Sequence, residues 1–218
     1  MNNNNSDMKE KNKIGKLFIV TAPSGAGKTS LVKALVKLCP QIKISTSHTT
    51  RKPRQGEREG VDYYFVNNEI FDILKNNGEF LENAECHGAK YGTAMSPVEE
   101  NLRAGKDIIL EIDYQGALNV KKVFSDAISL FIVPPSMAVL KERLEGRGQN
   151  SNAEIKGRMA AAKEEISHLE KFDYVIINEK FDQALCDLKS VFSDSPESIN
   201  LETTRQKKFF QSLINSIK

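Results

Sequence analysis

The stretch from Leu17 to Leu38 constrains the fold of this chain more than any other. The β-rich apolar run Leu17–Thr21 leads into Ala22-Pro23-Ser24-Gly25-Ala26-Gly27-Lys28-Thr29-Ser30, and that loop opens the helical pattern Leu31–Leu38. The order is strand, glycine-rich loop, helix. Gly25 and Gly27 let the backbone turn its N–H groups inward around phosphate oxygens, at a helix N-terminus whose partial positive charge favours an anion. Lys28 can reach the β- and γ-phosphates, and the Thr29 hydroxyl can ligate Mg²⁺. Ala22 stands where such loops usually begin with glycine, a departure that the strand before and the helix after it offset. Residues 22–30 are therefore expected to bind a nucleoside triphosphate with Mg²⁺.

Beyond the loop, short β-rich runs at Ile42–Thr46, Asp107–Ile112, Ala127–Val133 and Asp173–Ile177 alternate with helical patterns that start near Ser96, Gly116, Ser136, Ser151 and Phe181. Such alternation predicts βαβ units and a parallel sheet, an α/β fold. Ser96-Pro97-Val98-Glu99 and Ser151-Asn152-Ala153-Glu154 both carry the helix-start signature of a capping Ser followed three residues later by Glu, and Gly105 is placed to end the first of these helices. From Thr49 to about Ala94 the alternation breaks. A loop, a short strand at Tyr63–Val66, a helix at Asn68–Asn77 and short strands at Phe80–Cys86 and Tyr91–Thr93 predict a small α+β insertion.

Composition narrows the function. The 218 residues carry 31 Lys and Arg against 29 Asp and Glu, a net charge of +2. That is too small for a general nucleic-acid binder. The three cysteines, Cys39, Cys86 and Cys186, form no CxxC pair and sit at no metal-ligand spacing, which fits a reducing cytoplasm. The apolar runs are far short of the ~20 residues that span a bilayer, and the Asn-rich start has no apolar signal core, so neither membrane spanning nor secretion is expected. Residues 1–15 read as a disordered tail.

A phosphate loop does not by itself separate hydrolase, transporter subunit and kinase; the insertion does. Its entry, Ser47-His48-Thr49-Thr50-Arg51-Lys52-Pro53-Arg54-Gln55-Gly56-Glu57, sets two arginines three apart across a proline. Guanidinium groups bind phosphate bidentately, which suits a second, phosphorylated substrate, although a solvated basic loop would look the same taken alone. Tyr63 and Tyr91 can donate to that phosphate.

In these motifs the sequence closely resembles the guanylate kinases of the bacterial type. The matching segments are Ala22–Thr29, Ser47–Glu57, Asp62–Val66, Phe80–Glu82, Tyr91–Thr93, Glu111–Gly116, Pro134–Ser136 and Arg143–Gly148, and the likeness runs from about Lys16 to Phe192. It implies a P-loop parallel sheet flanked by helices (16–48, 95–140 and 159–195), a GMP-binding insertion (49–94) and a lid (141–158). It further implies transfer of the γ-phosphoryl of ATP to GMP, with dGMP as a further acceptor. Arg51, Arg54, Tyr63 and Tyr91 fall at the family's GMP-phosphate positions. Ser47, Glu82, Thr93 and Asp113 fall at its guanine positions, and the chemistry agrees: carboxylates can accept from guanine N1–H and the 2-amino group, and a hydroxyl can donate to O6. Taken singly, Glu82 or Asp113 would read as a surface or capping acid.

The resemblance places the lid arginines at Arg143, Arg147 and Arg158, around Gly146 and Gly148, where closure would bring positive charge to the transferring group. Glu111 ends a strand where many family members carry Asp, and is a candidate to hold Mg²⁺ through water. Asn178-Glu179 lies where the family builds its adenine side. His48, His87 and His168 are assigned no chemistry.

Two other classes would differ in their motifs. A guanylate-kinase-like module for phosphorylated peptides would have a degraded phosphate loop, whereas Gly25, Gly27, Lys28 and Thr29 are all present. A nucleic-acid-dependent NTPase would need a basic stripe. Residues 196–218 show helical apolar spacing and are expected to dock on the core or on a second subunit, so a homo-oligomer is compatible with the sequence.

Overall fold

The computed structural model describes residues 14–86, 88–146, 151–193 and 212–213. In chain order the core begins with β1 (Leu17–Thr21), α1 (Lys28–Leu38) and β2 (Ile42–Ile44). The inserted segment follows as β3 (His48–Thr49), β4 (Tyr64–Phe65), α2 (Asn68–Asn76), β5 (Phe80–Cys86) and β6 (Ala89–Ala94). The core resumes with α3 (Met95–Arg103), β7 (Asp107–Glu111), α4 (Tyr114–Val123), β8 (Ile128–Val133), α5 (Met137–Glu145), α6 (Asn152–Ser167), β9 (Tyr174–Ile177) and α7 (Phe181–Val191).

β1 shows no polar alternation because both of its faces are covered. Leu17 and Ile19 enter one apolar cluster with Val98, Val120 and Ile166 from α3, α4 and α6; Phe18 and Val20 enter another with Leu31, Leu35 and Leu188 from α1 and α7. Strands buried on both sides belong to parallel sheets flanked by helices. β1 is the central strand of five, in the order β2-β7-β1-β8-β9, and every pairing in that sheet is parallel. The α/β class expected from the alternation is the one observed. The phosphate loop leaves the carboxyl end of this central strand, where α/β sheets place their ligands.

The inserted segment builds a second sheet, β4-β3-β6-β5, of mixed direction. Its strand β3 lies in what the sequence reads as loop, because two residues are too short to show a period; the pairing of His48 with Gly92 and of Thr49 with Tyr91 defines it.

Two helix starts differ from expectation. α3 begins at Met95, one residue before Ser96: the Met95 N–H is taken by Glu79 O at 2.9 Å, and the Ser96 hydroxyl donates to Glu100 instead of capping. α4 begins at Tyr114 and not near Gly116, because Asp113 caps it by accepting from Gly116 N at 2.7 Å. The capping box at Ser151 is formed as read, and Gly105 follows α3 with φ 75°.

Of the expected tail over residues 1–15, residues 1–13 lie outside the described residues, as does most of 196–218. Within the latter, Leu213 is buried in the cluster that contains Leu17 and Phe172. At the amino-terminal edge of the described chain, Gly15 N donates to Leu102 O at 2.9 Å.

Candidate active site

A cavity of about 660 Å³ opens between the two sheets, with the phosphate loop at one end and the inserted segment at the other. Of the loop residues, Ala22, Pro23, Ser24, Gly25, Gly27, Lys28, Thr29 and Ser30 line it, while Ala26 is fully buried behind them. Gly25 and Gly27 sit at φ 95° and 96°, a region other residues enter only with strain. Asn178 buttresses the turn: its Nδ2 donates to Ala26 O at 2.7 Å, and a Cβ on Gly27 would lie 2.3 Å from that nitrogen. The role of this side chain is thus to hold the loop, a task that its place after a strand did not signal.

Lys28 Nζ lies 3.5 Å from Ile112 O, near the end of the neighbouring strand β7. The Thr29 hydroxyl donates to Glu111 Oε2 at 3.3 Å. A hydroxyl and a carboxylate oxygen side by side beneath a phosphate loop fit Mg²⁺, a hard cation that takes one or two protein oxygens and completes its shell with phosphate and water.

At the opposite end Ser47, Arg51, Arg54, Tyr63, Glu82, Tyr91 and Asp113 all line the cavity. The Arg51 guanidinium lies 5.3 Å from the Tyr63 ring centroid, and Tyr63 meets Tyr91 edge-on at 6.0 Å. Burial pushes the Tyr63 phenol above its ordinary pKa, so it stays a donor. Thr93 is fully buried behind Glu82 and donates to its Oε1 at 2.7 Å. With its one hydrogen so used, Thr93 accepts from the Ser47 hydroxyl 3.0 Å away, giving an ordered chain from Ser47 through Thr93 to Glu82.

Glu82 is the most perturbed acid of this end. Burial pushes its carboxyl up to about 7; the Thr93 hydroxyl opposes this, Asp113 adds to it, and Lys28 opposes it. Room for the two acids comes from Gly116, where a Cβ would stand 2.8 Å from Glu82 Oε2 and 3.2 Å from Asp113 Oδ1. A glycine in the first turn of a helix, where it costs about 0.5–1 kcal/mol, was the signal for such a close approach. Asp113 is both a cap and a lining residue, so the two readings that the sequence set against each other are compatible.

The arginines divide. Arg158 lines the cavity and donates to Ser24 Oγ at 2.9 Å, reaching from α6 to the phosphate loop. Arg143 does not line it: its Nη2 donates to Asn178 O at 2.8 Å, and its Nη1 is buried without a partner among the described residues. Arg147 lies outside the described residues. The sequence reading omitted Glu154 and Glu165, which line the cavity from α6. Glu165 stands seven residues after Arg158, two helical turns on and on the same face, a spacing that could have revealed it. Burial, then Asp113, push its carboxyl up to about 7, with Lys28 opposing.

A parallel sheet with a glycine-rich phosphate loop on its central strand, facing arginines and a buried carboxylate across a cavity, defines the class of P-loop kinases. Comparisons with known proteins specify it further. The guanylate kinase family model matches residues 14–195. The guanylate kinase of Methylobacillus flagellatus is 56% identical over 177 residues, covering 81% of this chain and 88% of its own. That of Thiobacillus denitrificans is 52% identical over 194 residues, covering 89% and 91%. The crystal structure of guanylate kinase from Anaplasma phagocytophilum matches with a TM-score of 0.70 at 32% identity, covering 92% of this chain and 95% of that one. The chain belongs to the guanylate kinase family.

Proposed function

We propose that this protein transfers the γ-phosphoryl group of ATP to GMP, with dGMP as a further acceptor, giving ADP and a guanosine diphosphate. The observation that carries this reading is the polarity of the cavity. One end is a phosphate loop with Lys28, and the other pairs two arginines and two tyrosines with a Ser47–Thr93–Glu82 chain that runs from the cavity wall to buried Thr93 and Glu82. ATP occupies the first end through residues 22–30. GMP occupies the second, its phosphate toward Arg51, Arg54, Tyr63 and Tyr91 and its base toward Ser47, Glu82 and Asp113, with Thr93, expected at a guanine position, buried behind Glu82 and acting through it.

The acceptor oxygen of GMP is already anionic, so no strong base is needed. It forms a bond to the γ-phosphorus as the bond to the ADP oxygen breaks, and this chain's work is to align the two phosphates and stabilise the charge between them. Lys28 and Arg158 serve the donor side, with Arg143 and Arg147 as further lid arginines; Arg158 bonded to Ser24 is the observation that supports its place over the loop. Mg²⁺, when bound, supplies charge neutralisation across the phosphate oxygens, and Thr29 and Glu111 would hold it. Ionised Glu82 accepts from guanine N1–H and the 2-amino group. Adenine offers a lone pair at N1 and no 2-amino group, and a buried polar site mismatched in this way discriminates by about 10⁴-fold.

Residues 16–48, 95–140 and 159–195 form the P-loop core in this reading, and 49–94 the GMP-binding part. Among the described residues no helix is long and apolar enough to cross a membrane, and three cysteines without a paired motif fit action in the cytoplasm. The deciding experiment measures ADP release with Mg²⁺ and ATP against GMP, AMP, CMP and UMP. Strong preference for GMP is expected; absence of GMP-dependent ADP release would falsify the assignment.

A further inference from the structure

Glu57 does not line the cavity, yet its carboxylate controls what Arg51 shows to it. Arg51 Nη1 donates to Glu57 Oε2 and Nη2 to Oε1, each at 2.9 Å, in a two-pronged pair whose side chains are 17% and 19% exposed. The second Nη1 hydrogen goes to Lys52 O at 2.7 Å. A guanidinium carries five N–H donors, of which three are now spent. The remaining two are the Nε–H, buried without a partner among the described residues, and the second Nη2 hydrogen. These lie in the guanidinium plane along one side and make up its other two-donor edge; the Tyr91 hydroxyl, which lines the cavity, also bonds the guanidinium.

The same carboxylate also fixes the second arginine's backbone. Arg54 N donates to Glu57 Oε2 at 2.7 Å, and Glu57 N donates back to Arg54 O at 3.0 Å across a four-residue turn in which Gly56 takes φ 87°. Gly56 supplies the positive φ that such a turn needs at its third position. Glu57 is therefore tied into a closed turn by main-chain and side-chain bonds at once, and its carboxyl is held below the ordinary range chiefly by the Arg51 guanidinium.

We propose that Glu57 is a positioning residue: by consuming the end-on face of Arg51 and anchoring the Arg54 turn, it leaves the Nε–Nη2 edge of Arg51 as the one offered to the acceptor phosphate. This rests on the reading that the phosphate of GMP lies at Arg51. The opposing account makes Glu57 a stand-in for that phosphate, expelled when nucleotide binds; expulsion would have to open the turn. The two accounts predict opposite signs.

The experiment is steady-state kinetics on the full chain with Glu57→Gln and Glu57→Ala, alongside Arg51→Ala and the double variant Arg51→Ala/Glu57→Ala. Loss of a charge-assisted pair should raise KM for GMP about tenfold in Glu57→Ala and less in Glu57→Gln, which keeps one acceptor oxygen. KM for ATP should stay within about twofold, since the donor site is untouched, and the double variant should exceed Arg51→Ala by less than the full Glu57→Ala effect, since Glu57 acts through Arg51 as well as through the Arg54 turn. A fall in KM for GMP, equal rises for both nucleotides, or full additivity in the double variant would each overturn the proposal. Turnover of GMP by the unmodified protein reports separately on the underlying assignment.

Discussion

The two ends of the cavity are built in opposite ways. The donor end is a single run of nine residues, Ala22–Ser30, whose backbone supplies most of the chemistry; the acceptor end gathers Ser47, Arg51, Arg54, Tyr63, Glu82, Tyr91 and Asp113 from five stretches of chain and two sheets. The first depends on local conformation, so it survives as a motif. The second depends on how β3, β5 and β6 register against one another and on how α4 approaches them, so its members are ordinary residues until the fold assembles them. A donor site of this kind fails by loss of one residue. An acceptor site can also fail through a neighbour that touches no ligand.

The largest expected effect tests the separateness of the ends. Lys28→Ala should lower kcat by about 10²–10³-fold, the usual cost of removing one preorganised charge from a transition state, while GMP binding measured by calorimetry stays within about threefold. Equal loss of GMP affinity would break the comparison.

Next comes Gly116→Ala, a substitution that favours a helix by about 1 kcal/mol but places a Cβ 2.8 Å from Glu82 Oε2. KM for GMP should rise about tenfold with KM for ATP unchanged and the thermal midpoint not lowered, a cost near that of one displaced charged hydrogen bond. A fall in thermal midpoint without change in KM would show that the crowding is absorbed elsewhere.

The pH dependence should be comparable. Glu82 titrates at about 7 in the free protein, and guanine requires its ionised form. Lowering the pH protonates the carboxyl, which then competes with nucleotide, so KM for GMP should increase by about tenfold between pH 8 and pH 6. Glu82→Gln should flatten that profile while leaving the overall affinity lower. A steep profile retained in Glu82→Gln would assign the titration to another group, Glu165 first.

The smallest effect concerns the strap between the ends. Lys33 on α1 and Asp62 in the inserted segment pair at 2.8 Å, with Lys33 60% exposed. Such a pair contributes under about 1 kcal/mol, so Lys33→Ala should shift thermal stability slightly and KM for GMP by less than about threefold, both effects fading at high salt.

The α/β fold and the donor loop were legible in the residues themselves, because strand alternation, the positive-φ glycines Gly25 and Gly27 and the Lys28-Thr29 pair are all short-range signals. Even small errors have local causes, as where Asp113 and not a residue near Gly116 starts α4. Of the acceptor residues, Arg51, Arg54, Tyr63 and Tyr91 could be read as a phosphate clamp from their own chemistry, while Ser47, Glu82, Thr93 and Asp113 were legible only through family resemblance. Glu57 and the buttressing role of Asn178 were not legible, since each acts on a residue far away in sequence or across a turn that single-residue preferences do not register; Glu165 and Gly116 left a trace, a two-turn spacing from Arg158 and a glycine early in a helix, that gains meaning only beside the neighbours the fold supplies.

The sequence by itself determined that a parallel sheet would carry a phosphate loop on one strand: buried strands and anion-binding glycines are fixed by the polarity and sterics of neighbouring residues. Only the tertiary structure decided that Thr93 orders the proton between Ser47 and Glu82, that Glu57 turns Arg51, and that burial lifts the carboxyls of Glu82 and Glu165. Desolvation and hydrogen-bond direction depend on what surrounds a group in space, and no local pattern encodes that.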